Sequence, residues 1–369
     1  MKRRNLLQKA CALGAAGSLL IAGATALLLP GAASAQAPVT LKFSHTDTPI
    51  GARQKTAELF AKKVEEYTKG RVKVQIFHSG QLANDTKSLE QLQLGGLDFA
   101  VTGASSYAPH LRELNLLSLP YLVDSYEQGW RLYDESKWTK EYFEKLAATK
   151  NIRILSTWEA GFRSFSTKRP FTSPADINGT KLRAFKNDMF LQLLGAMGWN
   201  AVVMPVTEAY LAIQQGVVEG QENPIDTIYS QKFYEVAPIL TLTEHVYSPI
   251  PMAVSERTGK KLSTDEQAGV KKAALEAATV IWAKDLANTG VTVNVLVPGG
   301  PANTRMIPLG EVADRSTLIQ PEIMVAPVSW LMSRQSDGVT NRRIIAKEWN
   351  PAAARETPAT VGAPAGWPS

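Results

Sequence analysis

The chain has 369 residues, of which 44% are hydrophobic, 20% charged and 8% aromatic. That composition excludes coiled coil, collagen and wholesale disorder, and the length allows two ordinary domains or one large two-lobed unit. The net charge of +6 suggests an acidic partner such as nucleic acid, while the single cysteine, Cys11, excludes a disulfide framework and a Cys-based zinc site.

The first residues change the charge argument. Lys2, Arg3 and Arg4 form a basic start, Ala10 to Leu29 is apolar and small, and Ala33-Ser34-Ala35 is a small-x-small cleavage pattern. Together these predict a signal peptide over residues 1–35 and export to the periplasm. A membrane anchor is the competing reading, opposed by the Gly and Ala content and by Pro30. Arg3-Arg4 leaves a twin-arginine route open beside the general one. Cleavage removes four of the 40 basic residues and none of the 34 acids, which leaves a charge of about +2 and no cysteine. The argument for nucleic acid goes with the leader.

The elements then alternate. Val39 to Ser44 reads as a strand, 51–69 as a helix ending at Gly70, Val72 to Phe77 as a strand, and Asp85 to Leu94 as a helix closed by Gly95-Gly96. Leu97 to Thr102 is a third strand. A long helical stretch runs from Ser125 to Thr149, and Arg153 to Thr157 is a buried strand. The rhythm restarts with a strand at Gly179 to Phe185, a helix at Asp188 to Met197, a strand at Ala201 to Met204 and a helix at Thr207 to Gln215. Two α/β blocks with largely parallel sheets predict two lobes and a cleft between them, where small-molecule sites lie.

Several segments carry a resemblance. They are Phe77-His-Ser-Gly-Gln-Leu82, Leu97-Asp-Phe99, Leu182-Arg-Ala-Phe185, Pro205-Val-Thr-Glu-Ala-Tyr210 and Gln214-Gln-Gly-Val-Val-Glu-Gly-Gln-Glu-Asn-Pro224. In that order and spacing, residues 39–272 resemble the extracytoplasmic solute-binding proteins of tripartite ATP-independent periplasmic (TRAP) transporters, the DctP-like group. The resemblance implies a two-lobed periplasmic-binding-protein fold of type II with a hinge and a central cleft. It places lobe 1 at 36–157, with 247–290 returning to it, and lobe 2 at 158–246. It also implies a monomer that binds a carboxylate-bearing organic acid and hands it to membrane transporter subunits.

By the same resemblance Arg183 clasps the solute carboxylate, for which a planar guanidinium is suited. Arg163, Asn223 and Glu90 read the rest of the solute, His45 and Trp158 lie near cleft strand ends, and Phe185 and Val206 line the pocket. Each has a plainer reading: a solvated arginine, a turn residue before Pro224, an exposed glutamate on an amphipathic helix. His45, His78, His110 and His245 lack metal-ligand spacing, so neither metal nor cofactor is expected.

The tail differs. Residues 272–350, with Val291 to Gly300, Thr304-Arg-Met306 and Asp337 to Trp349, resemble the C-terminal part of a short-chain dehydrogenase/reductase. An oxidoreductase is the alternative function, and it is rejected. In the matching frame Lys272 follows Ala268 where a tyrosine is needed, and the run Gly14 to Gly17 lies in the leader. No enzyme activity is expected. Val291 to Val297 reads as a hydrophobic strand in search of a sheet, and 351–369, rich in Pro, Ala and Gly, as disordered.

Overall fold

Strand β1 (Val39–Ser44) alternates as its sequence suggests, with Leu41 and Phe43 buried and Thr40 and Lys42 outside. The computed structural model describes residues 37–285, 292–300, 302 and 314–364. The leader, its cleavage pattern, the Thr304-Arg-Met306 match and the last five residues lie outside the described residues.

From β1 the chain runs through α1 (Ala52–Tyr67), β2 (Val72–Phe77), α2 (Asp85–Leu94) and β3 (Phe99–Val101). Asn84 caps α2 by accepting from the Lys87 amide at 3.0 Å, and Gly95 ends it in the left-handed conformation. The stretch 125–149 is not one helix. Ser125 starts α3 (Tyr126–Trp130), a wide π turn follows, and Ser136 starts α4 (Lys137–Lys150) by accepting from the Thr139 amide. Two serine caps within twelve residues are two helix starts. β4 (Ile152–Trp158) closes this half.

The second half begins with β5 (Phe162–Thr167), β6 (Lys181–Ala184), α5 (Asp188–Met197), β7 (Asn200–Val203) and α6 (Val206–Gln214). It continues through β8 (Gly220–Pro224), α7 (Ile225–Ser230) and β9 (Ile239–Tyr247). The chain then returns as β10 (Ile250–Ser255), α8 (Glu256–Gly259) and α9 (Thr264–Asp285).

The expectation of largely parallel sheets is corrected. In the first sheet, ordered β2-β1-β3-β10-β4, β1 is parallel to both neighbours, but the returning β10 inserts antiparallel between β3 and β4. The second half holds an antiparallel sheet β8-β5-β9 and a parallel pair β6-β7. A strand that comes back from another lobe arrives from the opposite end of the sheet, and local periodicity does not record this. The first sheet packs on α1 and α9 around Phe43, Phe60, Phe99 and Trp158, whose rings interlock at 5.1–6.1 Å. Ala273, Ala274, Ala277 and Ala278 bring α9 close to that core.

The tail adds β11 (Asn294–Val297), α10 (Val325–Leu331), β12 (Arg342–Ile345), α11 (Pro351–Glu356) and β13 (Ala363–Pro364). The hydrophobic strand does find a partner: β11 pairs parallel with β12, and β12 antiparallel with β13. Disorder from residue 351 is also corrected as far as 364. Asn350 accepts from the amides of Ala352 and Ala353, Pro351 opens α11, and Ala354 and Val361 are buried with Trp330 and Ile344. Composition missed this because the Pro and Ala here are helix-start and contact residues, not linker.

Candidate functional site

The ends of the strands and the starts of the following helices enclose a cavity of about 310 Å³. Strand alternation sends Leu182 of β6 into the core and Arg183 to the other side, where it lines the cavity. Its Nε donates to the Met204 carbonyl at 3.0 Å. Among the described residues no carboxylate forms an ion pair with it. Burial lowers its pKa to about 10, with Glu222 opposing and Arg163 adding to the shift, so the guanidinium is still charged at neutral pH.

Arg163 on β5 sits beside it but is already engaged. Its Nε and Nη2 grip the Glu222 carboxylate at 2.5 and 2.9 Å, and Nη2 also donates to Asn223 Oδ1 at 3.0 Å. Nη1 reaches Ser248 Oγ at 3.2 Å. The rings of Phe185 and Phe190 lie 5.1 and 5.3 Å from the guanidinium. Burial works to raise the Glu222 pKa, yet Arg163 and His245, at 3.3 Å, hold it below the usual carboxylate range. Arg163 therefore lines the cavity with its charge neutralised, and it fixes Asn223 by the amide oxygen. The other end of that amide, Nδ2, donates to Gln221 Oε1 at 2.5 Å.

Glu90 on α2, Phe185, Val206 and Asn223 also line the cavity. Trp158 and His45 do not. Trp158 is fully buried in the first sheet's core, its Nε1 donating to Ser156 Oγ, because the cleft-end position in sequence turns its side chain inward. His45 is 1% exposed and hydrogen-bonded to Gln54 Oε1 at 2.9 Å. Burial, helped by Arg53, lowers its pKa to about 4, so it is neutral.

Sequence reasoning missed Asp47, Arg53, Asn84, Asp85, Lys186 and Ser248, which also line the cavity. Several follow strand ends or open helices, the places where ligands gather in open α/β sheets, and that positional rule was the available signal. Asp47 does more than line. Its carboxylate lies over the start of α1, so close that a side chain at Gly51 would collide with it, and it accepts from Ser230 Oγ at 2.7 Å. Thr48 Oγ1 donates to the Ser230 carbonyl at 3.1 Å, and Gln231 Nε2 to the Thr46 carbonyl at 3.0 Å. On the other side Asn187 Nδ2 donates to the Ser105 carbonyl at 2.9 Å. The two halves thus hold each other around the cavity. Among the described residues no cluster of His, Cys, Asp and Glu could hold a metal ion.

The family model for bacterial extracellular solute-binding proteins, family 7 (DctP), matches residues 43–290. The chain belongs to this family. It is 33% identical to the C4-dicarboxylate-binding periplasmic protein DctP of Rhodobacter capsulatus, over 69% of this chain and 77% of the relative. The sialic acid-binding periplasmic protein SiaP of Vibrio cholerae is 32% identical over 67% and 77%. Among solved structures, the sugar acid binding protein DctPAm of Advenella mimigardefordensis, in complex with galactonate, superposes with a TM-score of 0.63 at 32% identity, over 66% of this chain and 78% of that one. A TRAP periplasmic solute-binding protein of Chromohalobacter salexigens with bound D-glucuronate gives a TM-score of 0.63 at 31% identity, over 67% and 83%. The two-lobed α/β fold is that of these proteins. The family match runs past Lys272 to residue 290 and takes in all of α9. The comparisons do not support the dehydrogenase resemblance of the tail, and its first residues fall inside the solute-binding match.

Proposed function

We propose that this DctP-family protein is exported by its leader, captures a sugar acid in the cleft and delivers it to the membrane subunits of a TRAP transporter. The carrying observation is Arg183, a buried cation lining the cavity with no ion-pair partner among the described residues. A carboxylate seated there would restore the desolvated charge with two parallel hydrogen bonds. Arg163, neutralised by Glu222, would act by orienting Asn223 and by holding the wall made with Phe185.

The rest of the lining favours hydroxyl groups over a second charge. Asp47, Asp85, Glu90, Ser105, Ser106 and Asn223 offer mostly acceptors, which suit a polyol chain. Galactonate, D-glucuronate and β-D-galacturonate are bound by solved relatives, and succinate by another. A dicarboxylate is the second reading, favoured by Lys87, Lys186 and Arg53 on the same lining.

Calorimetry with galactonate, glucuronate, galacturonate and succinate tests both. The expected result is micromolar or tighter binding of one sugar acid. Arg183→Ala should weaken it by at least about 100-fold, because a charge-assisted bidentate contact contributes roughly 3 kcal/mol or more. Binding that survives Arg183→Ala removes the anchor assignment, and preference for succinate selects the second reading. N-terminal sequencing of the periplasmic protein should begin at residue 36.

A further inference from the structure

The chain crosses between its two lobes twice. The first crossing joins β4 to β5 through Glu159, Ala160 and Gly161, and the second joins β9 to β10 through Ser248 and Pro249. Glu159 is 6% exposed, does not line the cavity, and among the described residues forms no ion pair. A buried carboxylate without a cation is costly unless donors satisfy it. Here four do. Oε1 accepts from the amides of Ala160 at 2.9 Å and Gly161 at 2.6 Å, within its own crossing. Oε2 accepts from Tyr247 Oη at 2.5 Å, at the start of the other crossing, and from Trp130 Nε1 of α3 at 3.1 Å.

The surroundings reinforce the junction. The Ser248 amide donates to the Gly161 carbonyl at 3.1 Å, which is the backbone tie between the crossings. Gly161 has φ of +87°, and a Cβ there would come within 2.9 Å of the Tyr126 hydroxyl, so the tight path of the first crossing depends on glycine. The Tyr247 ring packs on Phe162, the first residue after the crossing, at 5.3 Å.

We infer that Glu159 is the hinge pin of this protein: its carboxylate fastens the two interlobe crossings to each other and to α3, so that they bend as one unit when the lobes open and close. Glu159 is a positioning residue. It acts on the cleft through the crossings and not by touching solute. A carboxylate suits the place because all its acceptor directions are used, two on each oxygen, and an amide would turn an N–H toward the Tyr247 and Trp130 donors or toward the two backbone amides.

The test uses the full-length protein and two variants, Glu159→Gln and Tyr247→Phe. The second deletes only the hydroxyl that spans the crossings and keeps the ring, so it stands if the first folds poorly. Amide hydrogen exchange of the solute-free proteins is the primary readout. Exchange at Ala160, Gly161 and Ser248 should rise at least tenfold in both variants, with β1, β2 and β3 unchanged. Unchanged exchange at the crossings, or an equal rise throughout the first sheet, overturns the pin; the latter would mark a plain stability contact.

A second readout rests on the solute-binding reading above. By stopped flow with the sugar acid that wild type prefers, dissociation should speed at least fivefold in Tyr247→Phe. An unchanged dissociation rate also overturns the pin. If wild type binds none of the acids, the solute reading fails while hydrogen exchange still decides the hinge.

Discussion

At the scale of single residues, the cleft is organised by two arginines with opposite fates. Both are buried, and they lie near enough for Arg163 to disfavour the charge on Arg183. Glu222 compensates Arg163 directly and Arg183 only from a distance, so the unmet demand for an anion gathers at Arg183. His45 shows the same physics with a neutral outcome. Its native pKa is about 4 against 6.5 for the free ring, and burial is the main cause. For a base with a lowered native pKa, the unfolded chain takes up the proton first as pH falls. Its contribution is therefore complete above pH 6.5 and is lost between 6.5 and about 4. From pH 7 to pH 5 that amounts to about 2 kcal/mol. Urea unfolding at the two pH values should show wild type losing that much more than His45→Gln; parallel losses would refute the assignment.

At the scale of elements, Arg343 of the tail reaches two carboxylates and one ring on α1 and α9. Glu276 of α9 is fully buried, accepts from the Tyr67 hydroxyl of α1, and pairs with Arg343 of β12 at 2.9 Å and Lys63 at 3.6 Å. The Arg343 guanidinium lies 5.1 Å from the Tyr67 ring and reaches Glu66 at 3.4 Å. Removing one partner of a buried pair costs about 3–5 kcal/mol when the charge is stranded, and less where, as here, Lys63 stays. Arg343→Ala should therefore expose residues 292–364 to limited proteolysis well before the rest of the chain. Calorimetric binding of the solute should not change, since none of these residues lines the cavity. Equal protease resistance in wild type and variant would show that the apolar contacts of the tail suffice to hold it.

On the scale of the whole molecule, hydrogen bonds join the two halves around the cavity. Ser230 is central to one side of this clasp, donating to Asp47 and accepting from Thr48, and it does not line the cavity. Ser230→Ala removes the hydroxyl bond to Asp47 and leaves the backbone one. A hydrogen bond of about 1 kcal/mol made only in the shut state should appear as a roughly fivefold faster solute dissociation with an unchanged association rate. Stopped-flow measurement separates the two; a slowed association instead would place the effect before closure. Because Ser230 shares no hydrogen-bond partner with Glu159 or Tyr247, combining Ser230→Ala with Tyr247→Phe should give additive effects.

Much of this architecture was legible along the chain, since it depends on neighbours in sequence. The burial alternation of β1, the ends of α5 at Asp188 and Met197, and the cap and stop of α2 all follow from local pattern and capping chemistry. The ordered motifs from Phe77 to Pro224 identified the family, and Arg183, in one of them, lines the cavity. What the sequence could not supply was pairing across distance. Arg163 and Glu222 are 59 residues apart, and only their meeting turns a candidate solute contact into a neutralised wall. Trp158 and His45 lie at cleft ends of the chain path but turn inward, a choice made by packing against Phe43 and Gln54. The antiparallel β10, the partner of the tail strand and the four donors around Glu159 were decided in the same way. Periodicity and capping report the backbone's local preferences. Charge neutralisation, side-chain direction and strand pairing depend on which distant residues arrive, and these the tertiary structure alone determines.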